Sequence, residues 1–224
     1  MRSLRSLRVI GSLLVSAAVI LGSAGATLAN PWPSRTIKLV VPFPPGGAAD
    51  AVARIYAEKL SVNLKQAVII ENKPGAGTAI AADTVAKAEP DGYTLSLAPA
   101  GQLTILPHIN KELSYDPFKS FAPVSLLASV PYVVAASPAS PISSLSELIA
   151  AAKREPGKLT FSSCGAGTLC HLSGEFFKSL TGTDMLHIPF KGSAPAVTAL
   201  LGNQVDLAFD TLTVLAPQIA GGQV

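Results

Sequence analysis

Two glycine-rich stretches carry the chemistry that this chain is equipped to do. One is Pro42-Phe43-Pro44-Pro45-Gly46-Gly47, the other Ser162-Ser163-Cys164-Gly165-Ala166-Gly167-Thr168. Each lies between a run that reads as a strand and one that reads as a helix. A helix start presents unpaired backbone N–H groups and the positive end of the helix dipole, so each loop suits an anion. Two such loops in separate halves of one chain suggest a carboxylate held between two lobes. Nucleotide phosphate fits worse. No Walker A lysine follows either loop, and Cys170 stands where a dinucleotide fingerprint needs its third glycine. The next strand then closes on Pro189-Phe190-Lys191 without an acid.

Cys164 and Cys170 are the only cysteines, six positions apart around the second loop. They are either bridged or two thiols, and the choice depends on a Cα separation that spacing does not give. As a thiol, Cys164 near His171 would offer a thiol–imidazole nucleophile, which makes a cysteine-dependent hydrolase the competing enzyme class. No third, orienting group is visible beside it.

The elements that must position these loops alternate. Residues 36–41 read as a strand and 48–64 as a helix, with Ala51, Ile55 and Leu60 toward one side and Arg54, Glu58 and Lys59 at its polar edge. A strand at 67–71 runs into the turn cluster 72–77, then a helix at 78–88 ends at Glu89-Pro90-Asp91-Gly92. A strand at 93–98 and a short helix at 102–109 follow. Residues 124–136 are apolar and β-branched, interrupted by Pro131, and read as an extended passage from one lobe to another. Ser144 and Glu147 have capping-box spacing at the start of a helix over 144–153. Strands at 159–161, 185–190 and 205–209 then alternate with helices at 169–180, 194–201 and 212–220. This order predicts an α/β fold with mainly parallel sheets and ligand sites at the carboxyl ends of strands, where both loops sit.

The first residues read as an address. Arg2, Arg5 and Arg8 precede an apolar stretch from Val9 to about Leu21 and a small-residue run ending at Ala29, the form of a cleavable secretory signal over 1–29. The whole chain has 17 Lys+Arg against 14 Asp+Glu, net +3. The three arginines of 1–29 account for that excess, so the remainder is formally neutral. A nucleic-acid partner or an anionic membrane surface therefore has no compositional support. Hydrophobic residues are 49% of the chain, enough for a sizeable core.

Ordered motifs then carry a resemblance. The run from Trp32 to Gly47, Glu71-Asn72-Lys73-Pro74-Gly75-Ala76-Gly77 and Pro90-Asp91-Gly92-Tyr93-Thr94-Leu95 are its first part. Pro156-Gly157-Lys158-Leu159, Gly165-Ala166-Gly167-Thr168 with His171-Leu172, Pro189 to Ala196 and Gln204-Val205-Asp206-Leu207 continue it. Together they resemble the Bug family, the TctC-type periplasmic solute receptors of tripartite tricarboxylate transporters, over nearly everything after the signal.

The resemblance implies a two-lobed Venus-flytrap of the type II periplasmic-binding-protein fold, working in the periplasm as a monomer without cofactor or metal. It implies capture of a small carboxylated metabolite for membrane permease subunits; a ligand-sensing receptor for a signalling partner would use the same binding physics. Lobe 1 would span 30–130 and lobe 2 131–224. Family members run on for roughly half as much chain again and return to the first lobe, so the C-terminal part is expected to be missing and both lobes incomplete.

Matched to the family, Phe43, Gly46 and Gly47 belong to the first-lobe loop, with Asp50 either bracing it or orienting the ligand. Gly75 and Gly77 would shape a turn beside the cleft and Thr78 would cap its helix. Gly101 and Gln102 could reach the cleft after the third strand. Ser163, Gly165, Gly167 and Thr168 match the carboxylate loop of the second lobe. Charge-assisted hydrogen bonds are each worth roughly 1.5–3 kcal/mol, so three or four would suffice for micromolar binding without an arginine. His171 faces either the cleft or the lobe interior. Lys191 and Gly192 could meet a second carboxylate, and Asp210 either accepts from a ligand hydroxyl or amine or caps the next helix.

Overall fold

The computed structural model describes residues 31–224, so the secretory signal expected over 1–29 lies outside the described residues. Strand β1 (Ile37–Val41) lies at the centre of a three-stranded sheet because Ile37, Val40 and Val41 are fully buried. A mostly apolar run, broken only by the exposed Lys38, is what a largely buried parallel strand shows. It pairs in parallel with β2 (Val68–Asn72) on one side and β3 (Thr94–Ser96) on the other. Helix α1 (Ala48–Leu64) packs Ala53 against Leu39 and Val41, and helix α2 (Ala79–Ala86) precedes β3.

The expected helix over 102–109 is two shorter ones, α3 (Ala100–Thr104) and α4 (Leu106–Ile109). Pro107 in the first turn of α4 has no N–H to continue the ladder, so the chain restarts there. Thr78 precedes α2 but does not cap it: its backbone is left-handed at φ 90° and its hydroxyl accepts nothing from the helix. The connection over 122–131 carries no strand, and Tyr56 donates to the Leu127 carbonyl at 2.7 Å to hold it.

The second sheet has the order β4-β7-β5-β6. Strands β5 (Thr160–Ser163), β6 (Leu186–Pro189) and β7 (Leu207–Thr211) are parallel, while β4 (Tyr132–Ala136) joins β7 antiparallel. Alternation along β7 divides its side chains between the faces. Leu207 and Phe209 pack with Phe161 and Met185 against α5 (Leu145–Arg154) and α6 (Leu169–Thr181). Ala208 packs with Leu200 and Leu215 from α7 (Ser193–Leu201) and α8 (Leu212–Ala220). Strand β7 starts two residues later than its sequence pattern predicts. The Asp206 carboxylate accepts from both the amide and the hydroxyl of Thr160, each at 2.7 Å, and so takes the ladder position itself. At α5, Ser144 accepts from the Glu147 amide as expected, but the Glu147 carboxylate reaches back to Ser143, one residue earlier than a capping box prescribes.

Candidate functional site

The first loop leaves β1 at Val41 and enters α1 through Gly47, which caps the helix with no side-chain acceptor. What shapes the loop is Asp50, buried in the first turn. Its carboxylate accepts from the Gly46 amide at 3.1 Å, from Asn72 Nδ2 at 3.0 Å and from both Nε and Nη2 of Arg54 at 2.8 and 3.2 Å. Asn72 also donates to the Phe43 carbonyl at 2.9 Å, tying the end of β2 to the loop. Burial works to raise the Asp50 pKa, but the bonds from Arg54, Asn72 and Gly46 outweigh it and hold the carboxyl below its ordinary value. Of the two roles open to Asp50, bracing the loop is the one its contacts perform.

The second loop is held differently. Cys164 and Cys170 are disulfide-bonded with their Cα atoms 5.7 Å apart. Cys164 therefore has no thiolate to attack with, and the hydrolase alternative falls. Ser163 Oγ takes the Gly165 amide at 3.2 Å and lies 2.6 Å from His187 Nε2. His171 stacks on His187 with ring centroids 4.0 Å apart, and its Nδ1 accepts the Gly167 amide at 3.2 Å. That acceptor role places the His171 proton on Nε2. Thr168 caps α6 by accepting from the His171 amide, and donates its hydroxyl to the Gly165 carbonyl at 2.6 Å.

The amides of Gly165 and Gly167 thus have partners inside the loop, Ser163 Oγ and His171 Nδ1. His171 likewise supports the loop from beneath, where burial lowers its pKa. Burial, with the neighbouring His171, lowers that of His187 further, to about 4. Lys191 is exposed to solvent. Asp210 does not cap α8, whose N-cap Thr211 makes no side-chain cap bond. Its Oδ1 accepts instead from the Thr211 amide at 2.7 Å and the Ser193 hydroxyl at 2.9 Å.

The lobes meet through backbone. A Cβ on Gly77, which has φ +61°, would stand 2.8 Å from the Ala166 carbonyl oxygen of the second loop. A Cβ on Gly192, at φ +118°, would stand 2.9 Å from Pro44 Cδ of the first. Only glycine allows both the backbone angle and the approach. Gly101 backs onto the Gly167 carbonyl and the Leu169 amide. Gly47 and Gly192, on either side of the Pro44 contact, start α1 and α7 without a side-chain cap, and Pro99 and Thr211 likewise precede α3 and α8. Among the described residues the buried side-chain polar atoms without a partner are Thr78 Oγ1, Ser96 Oγ, both amide atoms of Gln102, and Asp210 Oδ2. Ser96, Asn72, Arg54 and His187 lie outside the residues that sequence reasoning proposed for the site. Among the described residues no cluster of His, Cys, Asp or Glu could hold a metal, and no helix is long and apolar enough to cross a membrane.

Two α/β lobes with glycine-rich loops at the carboxyl ends of their strands define a periplasmic-binding-protein architecture. The profile of the tripartite tricarboxylate transporter family receptor, TctC, matches residues 52–224. A UPF0065 protein of Bordetella pertussis is 41% identical over 209 residues, 93% of this chain and 64% of that protein. Two solved structures superpose on 86% of this chain. Rpa4515 of R. palustris with adipate has 36% identity and TM-score 0.83, with 64% of that chain covered. MatC of Rhodopseudomonas palustris with bound malate has 34% identity and TM-score 0.81, with 65% covered. The chain thus belongs to the tripartite tricarboxylate transporter receptor family, a family of solute receptors rather than enzymes. It spans about three fifths of the length of the curated relatives it matches, 64%, 59% and 63% for three of them.

Proposed function

We propose that this chain belongs to a periplasmic receptor that captures a small carboxylated metabolite between its two lobes and presents it, as a monomer, to membrane permease subunits. The observation that carries this is that two helix starts without side-chain caps, α1 behind Gly47 and α7 behind Gly192, come together where Gly192 presses on Pro44 of the first loop. Such a junction offers N–H groups and dipole ends to an anion, and a buried polar group without a partner is a cost that a ligand removes. The adipate and malate bound to two relatives are the ligand class that this wall suits. The ligand set we propose is the first loop with Phe43, Gly46 and Gly47, and Gly101 and Gln102 from the first lobe, with Thr168, Gly192 and Asp210 from the second. Closure would follow from differential affinity of the ligand for the touching over the separated lobes. Isothermal titration calorimetry with a panel of mono-, di- and tricarboxylates tests it. At least one acid should bind at micromolar concentration, without turnover and with loss of radius in small-angle scattering; no heat from any acid would refute it.

A further inference from the structure

Asp210 carries a more specific message. It is fully buried, at the end of β7 and on the face that meets the start of α7. Its two carboxylate oxygens are treated unequally. Oδ1 accepts from the Thr211 amide, the Ser193 hydroxyl and the Thr211 hydroxyl, at 2.7, 2.9 and 3.3 Å. Oδ2 accepts from nothing. Among the described residues no lysine, arginine or histidine pairs with this carboxylate. Burial pushes its pKa up, and the Thr211 and Ser193 bonds pull it part of the way back.

The place of the free oxygen matters. Ser193, which holds Oδ1, follows Gly192, and Gly192 is the residue pressed against Pro44 of the first loop. Asp210 therefore sits directly behind the seam between the lobes. Ionised, Asp210 in that position is an acceptor only, and repels a ligand carboxylate and an oxo group alike. It is suited to a hydroxyl or an ammonium.

Building on the carboxylate reading above, we infer that the metabolite carries a hydrogen-bond donor beside its carboxylate, and that Asp210 Oδ2 accepts from that donor. The class is then hydroxy or amino acids, in preference to unsubstituted or oxo acids of the same length. A site built to accept from a substrate OH or NH rejects the analogue lacking it, because its own buried group is then left unpaired.

The test uses the full chain and calorimetric titration with matched series at three chain lengths: propionate, lactate, alanine and pyruvate; succinate, malate and aspartate; glutarate, 2-hydroxyglutarate, glutamate and 2-oxoglutarate. In whichever series binds, the hydroxy or the amino member should bind at least about tenfold more tightly than the unsubstituted and oxo members. Which of the two binds more tightly tells a hydroxyl from an ammonium. Asp210→Asn keeps an acceptor for Ser193 and Thr211 but turns the free oxygen into a donor. It should abolish the preference and favour the oxo acid, with the melting curve of the variant as a control for folding. Equal affinity across a series, or a preference that survives Asp210→Asn, overturns the donor inference while leaving carboxylate capture standing. Absence of binding in every series overturns both.

Discussion

The two glycine-rich loops solve one problem by opposite means. Both join a parallel strand to a helix at the seam, and both must hold glycine-rich backbone in one shape. The first is fixed by charge: Asp50 gathers Gly46, Asn72 and Arg54 and leaves the start of α1 free of side-chain caps. The second is fixed by a disulfide, a serine and two stacked imidazoles that bind the loop's own amides. The first loop therefore keeps an uncapped helix start beside the seam, whereas the Gly165 and Gly167 amides of the second are already engaged within the loop. Glycine repeats alone do not make a loop a donor surface; the polar groups beneath decide where its N–H groups go.

Removing the charge should separate the loops most clearly. Asp50→Ala leaves the Gly46 amide without its acceptor, and Asn72 with only the Phe43 carbonyl, in a nearly closed environment. We expect a loss of about 2–3 kcal/mol in chemical denaturation, and carboxylate affinity should fall with it. A replacement that kept stability but lost affinity would instead place Asp50 on the ligand.

The covalent brace comes next. The ring closed by Cys164 and Cys170 is short, and chain entropy puts its contribution at roughly 2 kcal/mol. A Cys164→Ser/Cys170→Ser variant should lose about that much stability, with faster amide exchange confined to the second loop. Unchanged exchange there would mean that the stacked histidines suffice. Smaller still is the contact that joins the lobes. Gly77→Ala meets both an unfavourable φ and the Ala166 carbonyl, so about 1 kcal/mol of strain should weaken ligand affinity several-fold. The same replacement at the solvent-facing Gly182, where added Cβ meets nothing, should leave affinity unchanged.

The contrast between the loops also marks how far sequence could reach. Strands and helices were legible because their periods are local and glycine and proline mark their ends, as at Gly46-Gly47 before α1 and Pro90 after α2. The capped start of α5 was legible from Ser144 and Glu147 alone. Legibility failed where a distant group took over a local position. Asp206 delays β7 because Thr160, 46 residues earlier, occupies it. Thr78 has the residue type of a cap but follows Gly77 into a left-handed turn, which points its hydroxyl elsewhere. His171 and Gly167 were both visible as site candidates; that one would consume the donor of the other is a fact of packing. Ser96 and His187 carry no local signal at all, being polar residues in short strands whose neighbours are set by the sheet.

Acid should dismantle the second loop before the first. The His187 pKa falls from 6.5 to about 4, chiefly by burial and then by His171 beside it; Lys178 on α6 adds to the fall and Glu175 opposes it. His171 shifts in the same direction for the same leading reason. Both folded values lie below the unfolded one, so the native state binds fewer protons over this interval. The stability they contribute is complete above pH 6.5 and declines as pH falls toward about 4. Protonation also removes the Nδ1 lone pair that holds the Gly167 amide and sets two stacked imidazoliums against each other. Asp50 obeys the same sign but a lower window: its folded pKa lies below 3.8, so its contribution persists until the medium is more acidic than that. Hydrogen exchange followed from pH 7 to pH 4 should show protection lost first at 163–171 while 43–50 remains protected. Loss in the reverse order would break the assignment of charge to one loop and neutral imidazole to the other.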